Sequence, residues 1–144
     1  MSGSGSKAPL VLMEQVVMGL VFALAATLCV QAFVKSRTIS VEVSERDYAV
    51  RCSQTVAETA KAYGGDLQMM KKCLGGTLDG ANLLLCYGED WEQTDGPDGA
   101  VYVLRFKPKE ADGLCRGAEI TVLADDGERE ISSIPVAWQE DGHE

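Results

Sequence analysis

Among the residues able to do chemistry, Glu14 is the most informative. It lies inside an otherwise apolar run. A carboxylate in a membrane helix costs about 3 kcal/mol at mid-depth and less near an end. Two readings follow from the residues alone. Glu14 is solvated at headgroup level, one turn inside a helix, or it pairs with a positive group on a neighbouring subunit. Catalysis finds little to work with. The single histidine is His143, beside the C-terminus, and is expected to be neither a base nor a ligand. No nucleophile elbow, zinc-protease helix, phosphate loop or dinucleotide fingerprint occurs. Glu89, Asp90, Glu92, Asp95 and Asp98 could offer oxygens to Ca²⁺, but they lack the spacing of a calcium loop. Trp91 and Trp138 read as core or sheet-edge aromatics rather than a ligand box. The chain is therefore expected to be no enzyme and to hold no cofactor or metal.

The five cysteines are Cys29, Cys52, Cys73, Cys86 and Cys115. Cys29 falls in the apolar segment, as a small lipid-facing or packing residue. The other four contain no CxxC pair, so neither a zinc site nor a redox motif is signalled. If their part of the chain lies outside the cytoplasm, one or two disulfides are open to them; free buried thiols are the alternative.

Charge narrows the partners. The chain has 144 residues and a formal net charge of −9. From Ser36 onward there are 11 basic and 21 acidic residues, so the acidity belongs to the part beyond the apolar run. Nucleic acid calls for a basic patch and is not expected as a partner. An acidic surface by itself identifies no other partner.

These residues need elements to place them. Val16 to Val34 is a run of 19 residues without a charge, which as a helix spans roughly 28 Å, about the hydrocarbon thickness. Leu10 to Gln15 extends it at the cost of Glu14. Backbone groups in lipid must be bonded internally, which predicts a transmembrane helix over 10–34 after a polar leader at 1–9. Pro9 suits a helix start. Ala23, Ala25 and Ala26 allow a neighbouring helix to come close. A cleaved signal cut after Ala32 is disfavoured by the single Lys7 and by Glu14 inside the run. Lipid attachment at Cys29 is disfavoured by its flanks. A buried soluble helix is disfavoured because the apolar face goes all the way round. Lys7 on one side against Lys35 and Arg37 on the other leaves charge bias indecisive about orientation.

Beyond the membrane, roughly 110 residues suffice for one modest core. Ala49, Cys52, Val56, Ala60 and Tyr63 form a helical stripe. Ile39, Val41 and Val43 alternate like a strand, but Ile39, Val43 and Val50 also share a helical face, and the helix is preferred. Gly64-Gly65 ends it, Asp66 caps a short second helix over Leu67 to Leu74, and Gly75-Gly76 ends that one. In such a hairpin Cys52 and Cys73 could meet, the preferred disulfide if one forms. Residues 35–76 are thus an amphipathic helix and a short helix. Residues 77–139 read as a small antiparallel sheet of about four strands: Leu83–Tyr87, Ala100–Phe106, Ala118–Ala124 and Glu130–Trp138. Pro108 is expected to end the second strand in a loop at Lys107–Gly113. Asp125-Asp126-Gly127 signals a hairpin. The tail 140–144 is expected to be disordered. The fold class is α+β.

The order of parts carries a resemblance. A polar leader precedes LVLMEQVVMGLVFALAATLCVQAFV, with Glu14 near the start of the apolar helix; an amphipathic extension and a small antiparallel sheet follow. This resembles the type IV pilin and type II secretion pseudopilin family. The motif covers about a sixth of the chain, and the rest matches in architecture. The resemblance implies a non-enzymatic subunit of a secretion, competence or pilus machine. It implies a single-pass protein with a cytoplasmic N-terminus and an extracytoplasmic C-terminal domain. Its expected partners are membrane lipid and other pilin-like subunits, as a homo- or hetero-oligomer. Glu14 takes the role of the family's Glu that neutralises a neighbour's N-terminal amine. Pro9 stands where the family has a glycine before its cleavage point, so Lys7 of a neighbour is the substitute for a freed amine. A membrane-tethered binding or sensor domain outside any filament is the alternative.

Overall fold

The computed structural model describes residues 7–139. The leader through Ser6 and the tail from Glu140, His143 included, lie outside them. The chain divides into two compact units, Met1–Val43 and Ser44–Glu144, and a single α-helix, α1 (Lys7–Ala62), contributes to both.

The first unit is the apolar part of α1. Every described residue of it is exposed, and α1 is the one helix among the described residues long and apolar enough to cross a membrane. Its only described side-chain hydrogen bonds run back to its own backbone: Thr27 Oγ1 donates to the Ala23 carbonyl at 2.8 Å, and Thr38 Oγ1 to that of Val34 at 3.1 Å. Ile39, Val41 and Val43 are helical and about half exposed, so the alternation there makes no strand.

The second unit is a sheet with helices on one face. The rest of α1 buries Ala49, Ser53, Val56 and Ala60. The stripe read from the sequence is displaced by one position: Ser53 is buried, Cys52 is half-buried and Tyr63 is exposed. Ser53 enters the core because its hydroxyl donates to the Ala49 carbonyl at 2.8 Å, leaving no unpaired polar group. Gly64 and Gly65 take φ of +60° and +78°, and the Gly65 N–H closes on the Ala60 carbonyl at 2.8 Å. The Asp66 carboxylate then accepts from the Gln68 and Met69 amides, starting α2 (Leu67–Leu74) as its sequence signals.

The sheet has six strands, not about four: β1 (Thr77–Asp79), β2 (Asn82–Tyr87), β3 (Gln93–Thr94), β4 (Tyr102–Asp112), β5 (Cys115–Ala124) and β6 (Arg129–Gln139). The order is β1-β2-β4-β5-β6, with β3 also on β2, and every pairing is antiparallel. The two additional strands, β1 and β3, are three and two residues long. That is too short for a hydrophobic alternation to announce them. They form by main-chain pairing along the outer edge of β2. The expected loop at Lys107–Gly113 is also corrected, because β4 runs on to Asp112. The β2 pairing of β4 ends at Phe106, so Pro108 occupies a stretch with a single strand neighbour, where a missing N–H is tolerated. The hairpin at Asp125-Asp126-Gly127 is a 3₁₀ turn with Asp125 at φ +53°.

Register sets the core in rows across the sheet. Leu83, Phe106, Ile120 and Ile134 form one row; Leu85, Leu104, Val122 and Ser132 form the next. These rows meet Ala49, Val56 and Ala60 of α1 and Met70 of α2 in one cluster. Trp138 lies beside Phe106, ring centroids 6.4 Å apart.

Two positions in this unit are testable. Phe106 is fully buried, and Phe106→Ala is expected to cost about 3–5 kcal/mol. Gly76 sits at φ +87°, and a Cβ there would lie 2.4 Å from the Leu84 carbonyl oxygen, so Gly76→Ala is expected to cost about 2 kcal/mol or more. Denaturant midpoints of the full chain in detergent check both. A midpoint for Gly76→Ala equal to wild type contradicts the close approach.

Candidate functional site

The candidate site read from the sequence is the apolar surface around Glu14. The helical backbone satisfies its own polar groups, so what remains for lipid or protein is side chain alone. From Leu10 to Val34 these side chains point outward without cover: Leu10 is 67% exposed, Phe22 77% and Phe33 72%. Glu14 is exposed and has no ion-pair partner among the described residues. Lys7 lies seven residues before it. That puts Lys7 on nearly the same face but about 10.5 Å along the axis, beyond reach of Glu14 in the same helix. Ala23, Ala25 and Ala26 are exposed, and no side chain would obstruct a second helix near Gly19, where a Cβ would meet nothing within 4 Å.

The cysteines are all free thiols. Cys52 and Cys73 each have a tyrosine neighbour. Cys52 neighbours the Tyr87 hydroxyl, and burial pushes its thiol up in pKa. Tyr87 in turn is pushed well above the ordinary phenol range, first by burial and then by Cys52. Cys73 lies exposed on α2 beside Tyr63, whose phenol it pushes up in pKa. Cys86 is buried, and its thiol is raised by desolvation. The acidic residues Glu89 to Asp98 are all exposed. Among the described residues no group of three His, Cys, Asp or Glu is placed to hold a metal ion.

The structure assembles a second cluster that sequence reasoning missed. Tyr102 of β4 donates its hydroxyl to Glu45 Oε1 of α1 at 3.0 Å. Arg129 of β6 donates through both terminal nitrogens to Glu45 Oε2 at 3.2 Å, and through Nε to Asp125 at 3.0 Å. Trp91 lies on Tyr102 with centroids 4.0 Å apart and on Tyr48 with centroids 5.8 Å apart, both stacked. Arg51 sits over the Tyr48 ring at 5.9 Å. Residues 57 and 84 positions apart meet here, and no local spacing signals such pairs. The one usable sequence signal was the Asp-Asp-Gly turn, which sets Asp125 and Arg129 at the sheet end. The Arg129 guanidinium is half exposed, so its ion pair contributes about 0–1 kcal/mol and serves mainly to orient Glu45. The cluster ties α1 to the sheet.

Burial, then the Glu45 hydrogen bond and charge, push the Tyr102 phenol up to about 12 from an ordinary 10.0. A folded value above the unfolded one means that the neutral phenol is favoured by folding. Its contribution is complete below pH 10 and is lost as pH rises from 10 toward about 12. Denaturant midpoints of the full chain should fall through that window, and less steeply in Tyr102→Phe. Tyrosinate absorbance should lose one late-ionising phenol in that variant. A wild-type midpoint flat from pH 10 to 12 contradicts the assignment.

Comparison with known proteins finds no matching family model, no matching curated protein and no matching solved structure.

Proposed function

We propose that this chain is a pilin-like or pseudopilin-like subunit of a secretion, competence or pilus assembly system and performs no catalytic step. The observation that carries the reading is the wholly exposed apolar surface of Leu10–Val34 with the lone carboxylate Glu14 near its start. The support is physical. Such a surface is stable in lipid, or against other helices of its kind. The α1 residues beyond Ser44 packed on an antiparallel sheet agree with the architecture that the motif implies.

In this reading the N-terminus is cytoplasmic and the sheet-bearing unit is extracytoplasmic. The bilayer stores the subunit until lateral packing of apolar helices extracts it into an assembly. Glu14 is poorly solvated there and recruits a cation. Lys7 of a neighbour displaced by about 10.5 Å along the helix axis supplies it without a freed N-terminal amine. The lone acid therefore sets the axial stagger between subunits, because apolar contact alone has little directional preference.

The test uses the full chain in a bacterial membrane with a photo-crosslinking amino acid at Phe22. Wild type is expected to give crosslinked multimers. Glu14→Gln should lower their yield about tenfold, equivalent to ~1.4 kcal/mol of coupling. The exchange Lys7→Glu with Glu14→Lys should recover much of the loss. Undiminished crosslinking in Glu14→Gln would sink the assembly role of Glu14. A chain that stays monomeric in every variant is instead a membrane-tethered binding domain acting alone.

A further inference from the structure

β2 and β4 are adjacent antiparallel strands, with Tyr87 opposite Tyr102. Two residues can close such a hairpin, yet residues 88–101 intervene. This segment turns back along the outer edge of β2. Its β3 rungs pair Thr94 with Cys86 and Gln93 with Tyr87. Gln93 Nε2 donates to the Leu74 carbonyl at the end of α2, at 2.7 Å. The Val101 amide also donates to the Tyr87 carbonyl at 2.9 Å where the segment rejoins the sheet. These few bonds are a slight attachment for a segment bearing five exposed carboxylates.

The stronger attachment is Trp91. Its indole is stacked on Tyr48 from α1 and on Tyr102 from β4, with Tyr87 at 6.1 Å. To place the ring there, the backbone takes φ +60°, a conformation that disfavours a bulky residue and persists only when its surroundings impose it. Beside the segment, on β2, lies Cys86. It is only 5% exposed, yet it is not part of the core cluster that contains its neighbour Leu85. Its side chain points to the opposite face of the sheet from Leu85, and its partner across the outer edge of β2 is Thr94 of the segment.

We propose that residues 88–101 form a strap latched by Trp91, whose release uncovers the Cys86 thiol and the outer edge of β2 at Cys86 and Tyr87. The latch reads the seating of α1 on the sheet. The indole has both stacking partners only while Tyr48 and Tyr102 are held together, and Glu45 holds Tyr102 from the same helix. A displacement of α1 at Tyr48 removes one stacking partner and frees the strap. Freed, β2 presents unpaired N–H and C=O groups as a pairing edge, which the closed strap conceals. The latch does not depend on what the apolar helix packs against.

Thiol labelling of the full chain in detergent, located by peptide mass spectrometry, tests this. In wild type the exposed Cys73 and Cys115 should react quickly and Cys86 slowly. Trp91→Ala should speed Cys86 by about tenfold or more, while amide exchange at Ile120 and Val122 in β5 stays unchanged, the signature of local opening. Trp91→Phe should keep Cys86 slow, and Tyr48→Ala should speed it through loss of one stacking partner. Cys86 as slow in Trp91→Ala and Tyr48→Ala as in wild type overturns the latch. So does a rise matched in both variants by lost protection at Ile120 and Val122, since that is global unfolding.

Discussion

The packing of α1 on the sheet is the constraint on which the folded unit depends. Its buried residues are Ala49, Ser53, Val56 and Ala60, which are small or of modest size. The larger volume comes from the sheet, where Phe106, Leu83, Leu85, Leu104, Ile120 and Val122 are fully buried. This division of sizes gives dense packing without overpacking. It also decides what surrounds the core. The glycine turn must bring α2 back so that Met70 closes one end, and Glu45 and Tyr48 must descend on the sheet at the other.

A second constraint acts on the first unit. An α-helix bonds its own backbone, so an apolar helix can meet lipid without unpaired peptide groups. Every residue of Leu10–Val34 is exposed among the described residues. Glu14 is the exception in an otherwise uniform surface. In a medium where ions are poorly solvated, one carboxylate carries more positional information than many leucines.

The two constraints differ in how far they could be read along the chain. The membrane-length run, the glycine break after α1, the Asp66 cap and the end of α2 at Gly75 are local effects, and each was legible at its own residues. The four longer strands were legible as short apolar runs between turns. β1 and β3 were not, since their pairing is main chain to main chain. The extension of β4 through Pro108 was hidden because proline ends a central strand but is tolerated where one neighbour is missing, and only the register shows where β2 stops. The stripe on α1 shifted from Cys52 to Ser53 for a similar reason: a hydroxyl that bonds its own helix loses its claim on water.

What the sequence determined by itself is therefore the set of properties carried by neighbours in the chain: the apolar helix, its lone acid, the caps, the turns and the α+β class. These follow from backbone geometry and from solvation of side chains a few positions apart. Tertiary structure alone decided which distant groups meet. It gave Cys52 and Cys73 each a tyrosine neighbour, joined Glu45 to Tyr102 and Arg129, and stacked Trp91 on both Tyr48 and Tyr102. The reason is that register and helix seating are collective. They are set by the whole buried surface at once, and no single residue or spacing encodes them.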